Sequence, residues 1–236
     1  MASGQKPFYI VLGVLVLAGI AFIGIRMMGS GSISIPANVV VTTADTSGFR
    51  GYVTGVASAP LEVTEYGDLE CPVCATFATV QFPEIKARLI DTGKIRYRYR
   101  DFPLDGPHRH PRVAAHAAAC ANDQGKYWDV QAAMFQNQMD YAEVADPIPP
   151  LRNIMKNAGL NTDTWEACMK SAKYAGRIQA SLNEGTVLGV NSTPTFLIAG
   201  RLYPGLNSDR MIALVDSVTA TLPSPPAGSV TPTGGQ

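Results

Sequence analysis

The tetrad Cys71-Pro72-Val73-Cys74 constrains this chain more than any other feature, because the residue pattern changes from strand to helix across it. Leu61 to Tyr66 alternates apolar and polar side chains, and Gly67-Asp68 ends the run as a strand terminus does. Beyond the tetrad, Phe77, Val80, Ile85 and Leu89 recur at roughly helical spacing, with Pro83 expected to kink or interrupt that helix. Cys71 is therefore predicted in the first turn of a helix, where unpaired N–H groups and the positive dipole end favour a thiolate over a thiol. Pro72 is tolerated there, because the amide hydrogen it lacks has no helical partner at that position. The spacing sets the second sulfur about one turn below the first, close enough to bridge. It predicts Cys71 as the sulfur that attacks or is attacked, and Cys74 as the resolving one. Half of a zinc site is the competing reading. It needs two further ligands at short spacing, and Cys120 and Cys168 stand far away and far apart.

Thr193-Pro194 precedes a second apolar strand, Thr195-Phe-Leu-Ile198, which is followed by Arg201-Leu-Tyr203 across a turn at Gly200. Spacing alone leaves Pro194 either an ordinary turn proline or a cis one, since an X-Pro bond resists the cis form only weakly. Between the tetrad and this pair the pattern is helical. Val113, Ala117 and Cys120 share one face of an alanine-rich segment; Tyr127, Val130 and Met134 share another; Leu151 to Ala158 should stop at Gly159. Asp163-Thr-Trp-Glu166 has the form of a capping box, opening a helix whose buried face carries Trp165, Cys168 and Ala172. A last helix from Asn207 to about Thr221 buries Met211, Leu214, Val215 and Val218. The expected fold class is α/β, interrupted by an α-helical subdomain over about residues 107–186.

With these residues in view, the chain resembles the DsbA-like thioredoxin family over roughly residues 51–220. The resemblance rests on Gly67-Asp-Leu-Glu-Cys-Pro-Val-Cys74, Arg100-Asp-Phe-Pro-Leu104, Cys120-Ala-Asn-Asp-Gln-Gly-Lys-Tyr-Trp128 and Gly189-Val-Asn-Ser-Thr-Pro-Thr-Phe196, in that order. It implies a thioredoxin fold with a helical insertion and a cis proline at Pro194 facing the Cys71–Cys74 pair. It also implies that Thr193 offers its backbone to an extended substrate, with Pro72 and Val73 tuning the active site. Cys120 and Cys168, read from the residues, are either two buried thiols or a second disulfide. The resemblance and an oxidising compartment favour the disulfide, which would close a long loop and stabilise the fold by about 3–4 kcal/mol.

The N-terminus bears on that compartment. Phe8 to Ile25 is an uncharged run long enough, at about 1.5 Å per residue, to cross a hydrocarbon core as one transmembrane helix. Lys6 before it and Arg26 after it favour a cytoplasmic amino terminus; a cleaved signal peptide is the alternative. Either one exports the catalytic domain. The expected organisation is an anchor over 1–28, a Gly/Ser/Thr-rich linker over 29–50 with a short strand at Val39 to Thr42, the catalytic domain over 51–222, and a disordered tail over 223–236. With 19 basic and 19 acidic residues, net charge is zero and nothing points to nucleic acid. His108, His110 and His116 crowd together, but a metal would want further ligands in fixed geometry, so no metal or cofactor is expected. Glu70, beside Cys71, would raise that pKa if close and ionised, but such a residue more often points into solvent or pairs elsewhere, and it is given no role. Val73 offers no charge, so helix-terminal and backbone amides must stabilise the thiolate.

A fall of the Cys71 pKa from about 8.5 to about 5.5 would shift the redox balance by about 2 kcal/mol, or about 45 mV. Thioredoxin and DsbA differ by about 150 mV, so thiolate stabilisation alone does not set direction. Context favours a disulfide oxidase acting on exported clients with free cysteines. The resemblance implies re-oxidation by a quinone-linked DsbB-like or VKOR-like membrane partner. The alternatives are a reductase or isomerase kept reduced by a membrane carrier, and a non-catalytic anchored holdase. A monomer is expected.

Overall fold

A computed structural model describes residues 11–19 and 33–222. Residues 11–19 are helical and form part of a unit separate from the one that begins at Ser34. Among the described residues no helix is long and apolar enough to cross a membrane. The rest of the Phe8–Ile25 run, and the tail read as disordered over 223–236, lie outside the described residues.

The second unit is built on a five-stranded mixed sheet in the order β1-β3-β2-β4-β5, with β1 Tyr52–Thr54, β2 Leu61–Gly67, β3 Ile95–Asp101, β4 Thr195–Ile198 and β5 Arg201–Pro204. Only β2 and β3 run parallel; β1 pairs with β3, and β4 with β2 and β5, antiparallel. β2 is thus central and covered on both faces. Period-two alternation puts Leu61, Val63 and Glu65 on one face and Glu62, Thr64 and Tyr66 on the other. The first face packs on Phe77, Ile85, Leu89, Met211 and Val215, and the second joins Tyr66 to Phe102 and Val190.

The helical run after the tetrad is broken as Pro83 requires. α2 Pro72–Thr76 passes through a π-helical turn, Phe77–Gln81, into α3 Phe82–Ile85, which carries Pro83 in its first turn, and then a second π turn, Lys86–Ile90. Between residue 33 and the sheet lies a short helix, α1 Thr43–Thr46. The expected strand at Val39 to Thr42 does not form. The residues just before it lie on the domain, with Ile35 buried and the Asn38 N–H donating to Gln179 Oε1 at 3.0 Å. The edge strand β1, too short for a periodic signal, is fixed by tertiary contact. Tyr52 stacks on Tyr127 at 3.4 Å between ring centroids.

The inserted subdomain runs through α4 Pro111–Asn122, α5 Tyr127–Gln136, α6 Gln138–Ala142, α7 Ile148–Asn157, α8 Thr162–Ser171 and α9 Ala175–Leu188; α10 Ser208–Thr219 follows the sheet. Three expectations need correction. α4 is buried on every side rather than one, because its alanines let neighbouring helices approach closely. α8 is capped two residues earlier than the capping box predicts. Asn161 Oδ1 accepts the N–H groups of Asp163 and Thr164, which leaves Glu166 free to bind Arg152 Nε at 2.5 Å. Ala172 does not lie on a buried helical face: it closes α8 in the left-handed region, at φ 49°. Trp165 is fully buried, and its indole N–H donates to the Ala117 carbonyl at 3.0 Å. The Cys120–Cys168 disulfide joins α4 to α8 with Cα atoms 5.8 Å apart.

Candidate active site

Cys71 is the N-cap of α2, with Pro72 at the first helical position, as the sequence requires. The Cys74 backbone N–H points at Cys71 Sγ at 3.5 Å. Cys71 and Cys74 stand as free thiols; Cys74 is wholly buried, Cys71 is 5% exposed, and Pro72 and Val73 are open to solvent. Across the site, the Thr193–Pro194 peptide is cis, and the Cys71 thiol donates to the Thr193 carbonyl at 3.4 Å. The fold therefore brings together the six residues that the sequence grouped in two distant segments.

The two sulfurs are electrically unequal. The Cys74 thiol donates to Cys71 Sγ and lowers its pKa from 9.0 to about 6 against burial, helped by the Thr193 side chain and by the N–H groups of Cys74 and Val73. Burial pushes Cys74 well above its usual value, and its thiol's bond to Cys71 and the nearby Glu65 carboxylate push the same way. At pH 7 the Cys71 shift favours the reduced form by about 1.4 kcal/mol, or about 30 mV. That is smaller than the sequence-based expectation and again well short of setting direction.

The alternation that makes Leu61 and Val63 core residues also turns Glu65 inward, beneath the cysteines, where it is 4% exposed. Its Oε2 accepts the Tyr97 hydroxyl at 2.5 Å, and Oε1 has no partner within the protein. Burial raises Glu65 to about 7, and burial raises Asp101, at the end of β3, to about 7 as well. Glu65 was not singled out from sequence. The signal was present, since a strict period of two along β2 puts a carboxyl among apolar neighbours.

These shifts carry a pH sign. A carboxyl raised in the folded state binds more protons there than in the unfolded chain, so stability is full below the unfolded value near 4.5 and falls as pH rises towards 7. With Cys71–Cys74 oxidised, so that the thiol does not titrate, thermal unfolding should move to lower temperature between pH 5 and 8. Glu65→Gln should flatten that slope. An unchanged slope in this variant would remove Glu65 from the account.

The loop before Cys71 is fastened to the helical subdomain. Asp68, 2% exposed, accepts the Glu70 and Leu104 N–H groups at 2.9 and 2.7 Å and meets His108 Nδ1 at 2.7 Å. Of the two readings of Glu70, solvent-facing or paired elsewhere, the second holds. It is buried, its Oε2 accepts the His110 N–H at 2.8 Å, and burial raises it to about 7. From α6, a helix too short to read from sequence, the Gln138 side-chain amide donates to the carbonyls of Leu69 and Cys71 at 2.8 and 3.0 Å, and the Tyr141 hydroxyl donates to Leu69 O at 2.6 Å. Gln138→Ala removes one of two donors from each carbonyl; Leu69 O keeps the Tyr141 hydroxyl and Cys71 O keeps the Ala75 N–H. It should lower stability by about 0.5–1.5 kcal/mol and move the Cys71 titration, followed by thiolate absorbance, upward from about 6.

A thioredoxin family model matches residues 49–217, the whole sheet and insertion. The chain belongs to the thioredoxin family. Its fold takes the DsbA-like form: the oxidised BdbD of Bacillus subtilis superposes with a TM-score of 0.63 at 22% identity, covering 70% of this chain and 90% of that one. A probable disulfide bond formation protein D of Bacillus anthracis is 26% identical over 63% of this chain and 69% of its own length. A Salinispora tropica protein named as the Na(+)/H(+) antiporter NhaA 3 is 31% identical over 78% of this chain. This thioredoxin-family chain spans only 27% of that relative.

Proposed function

We propose that the protein is an extracytoplasmic thiol:disulfide oxidoreductase that introduces disulfides into exported clients through Cys71 and Cys74. The observation that carries the reading is the asymmetry of the pair, a low-pKa sulfur at a helix N-cap above a buried high-pKa one, facing Thr193-Pro194.

In the oxidised enzyme a client thiolate attacks Cys71 Sγ, the Cys71–Cys74 bond breaks, and its electron pair passes to Cys74. Cys74 resists ionisation, so it takes a proton, and the buried Glu65 carboxyl, whose charge acts on Cys74, is suited to exchange one near pH 7. A second client thiolate attacks the client sulfur of the mixed disulfide; the client disulfide forms, and Cys71 departs as the stabilised thiolate. Two electrons have then moved from client to enzyme. A membrane re-oxidant of DsbB-like or VKOR-like chemistry removes them, and an N-terminal anchor over residues 1–28 holds both proteins at one surface. The name of the Bacillus anthracis relative supports the oxidising direction.

Equilibration of the purified protein with glutathione should give a Cys71–Cys74 potential well above the roughly −270 mV of thioredoxin. Alkylation trapping in the producing cell should find the pair mainly oxidised. A pair held as thiols, with a thioredoxin-like potential, identifies a reductase instead.

A further inference from the structure

His116 takes no part in the Cys71 chemistry, yet it is a fully buried polar side chain set against the second disulfide. Its Nε2 accepts the Tyr174 backbone N–H at 3.2 Å. That bond assigns the ring proton of a neutral imidazole to Nδ1. Nδ1 lies 3.4 Å from Cys120 Sγ and 3.3 Å from Met169 Sδ, so its N–H points at sulfur. Burial, with Lys173 adding to it, lowers His116 to about 4, and the ring remains a neutral donor at physiological pH.

One ligating atom each from His116, Cys120 and Cys168 lies within 4.8 Å of the other two, a spacing that would also suit a metal. A metal on Nδ1, however, would move the ring proton to Nε2, where it would face the Tyr174 N–H donor to donor. The cluster is arranged to donate to a sulfur. The two residues also differ in exposure: Cys120 is 1% exposed within α4, whereas Cys168, near the end of α8, is 9% exposed.

We propose that Cys120–Cys168 is a directional thiol-exchange site, at which a low-molecular-weight thiol forms a reversible adduct on Cys168. The small thiolate attacks Cys168 Sγ, the S–S bond breaks, and its electron pair goes to Cys120 Sγ, where the His116 Nδ1–H bond stabilises the departing thiolate. One disulfide is exchanged for another, so no external oxidant or reductant is needed. Without that donor, a thiolate expelled into an apolar interior is strongly disfavoured. The same contact holds Cys120 beside the adduct, ready to attack Cys168, expel the small thiol and restore the bond.

The test uses the full-length chain carrying Cys71→Ser and Cys74→Ser, so that its result is independent of the proposed oxidase reaction. The protein is incubated with reduced glutathione, quenched in acid and mapped by mass spectrometry. The expected product has glutathione on Cys168 and an alkylatable Cys120. His116→Phe should lower its yield about tenfold, the worth of a hydrogen bond to a charged sulfur, and His116→Gln, which keeps a donor, should retain most of it. Adduct mainly on Cys120, an even distribution, no adduct, or an undiminished yield in His116→Phe overturns the proposal. Should His116→Phe not fold, the position of the adduct in the protein with His116 intact decides alone.

Discussion

Cys71→Ser should reduce the oxidation of a dithiol peptide to background, whereas Cys74→Ser should trap client proteins on Cys71 as mixed disulfides visible on non-reducing gels. The two effects differ because the sulfurs do. Cys71 sits at the mouth of the site, beside exposed Pro72 and Val73, and is ionised at neutral pH with its pKa near 6. Cys74 is fully buried and holds its proton. Removing the first leaves no sulfur for a client to meet. Removing the second lets the Cys71 thiolate attack a disulfide already formed in a client, expel one client sulfur as a thiolate and stay bonded to the other, with no Cys74 to attack Cys71 and release it. The reverse pattern, with trapping through Cys74 in Cys71→Ser, would exchange the two roles and remove the basis of the proposed mechanism.

Replacing Cys120 and Cys168 together by serine should lower the unfolding free energy by about 4 kcal/mol, as the chain-entropy model gives for a loop of 48 residues. Urea unfolding of both forms measures it. The bridge ties α4, the buried helix at the centre of the insertion, to α8, whose Trp165 already bonds to the α4 backbone. Its loss should therefore loosen the subdomain that presents Gln138 and Tyr141 to the active-site loop, and so raise the Cys71 pKa modestly as well. A change below about 1 kcal/mol would mean that helix packing alone holds the insertion.

Much of this was legible along the chain. The strand-to-helix change around Cys71, the interruption at Pro83 and the strand pair about Gly200 are local, each written in the spacing of neighbouring side chains. The left-out elements are those for which local signal is weakest. β1 has three residues and α6 has five, and both are held by contacts to distant residues: Tyr52 to Tyr127, and Gln138 to the carbonyls of Leu69 and Cys71. The cap of α8 shows a different cause. Asn161 and Asp163 both offer carboxyl or amide oxygens in the right region, and Glu166 was available to complete a box at Asp163, but Arg152 on α7 takes Glu166 instead.

What the sequence determined by itself was the chemistry available: two cysteines at a helix start, a proline ahead of a distant strand, and two more cysteines on helices. Those depend on residue type and on spacing within single elements. Tertiary structure decided which groups feel one another. Covering β2 on both faces turned Glu65 from a polar strand residue into a buried acid beneath Cys74, and packing of the insertion turned Glu70 inward and set His116 against a disulfide. The physical reason is that pKa and hydrogen bonding follow the local dielectric and the nearest donor, and both are supplied by segments far apart in the chain.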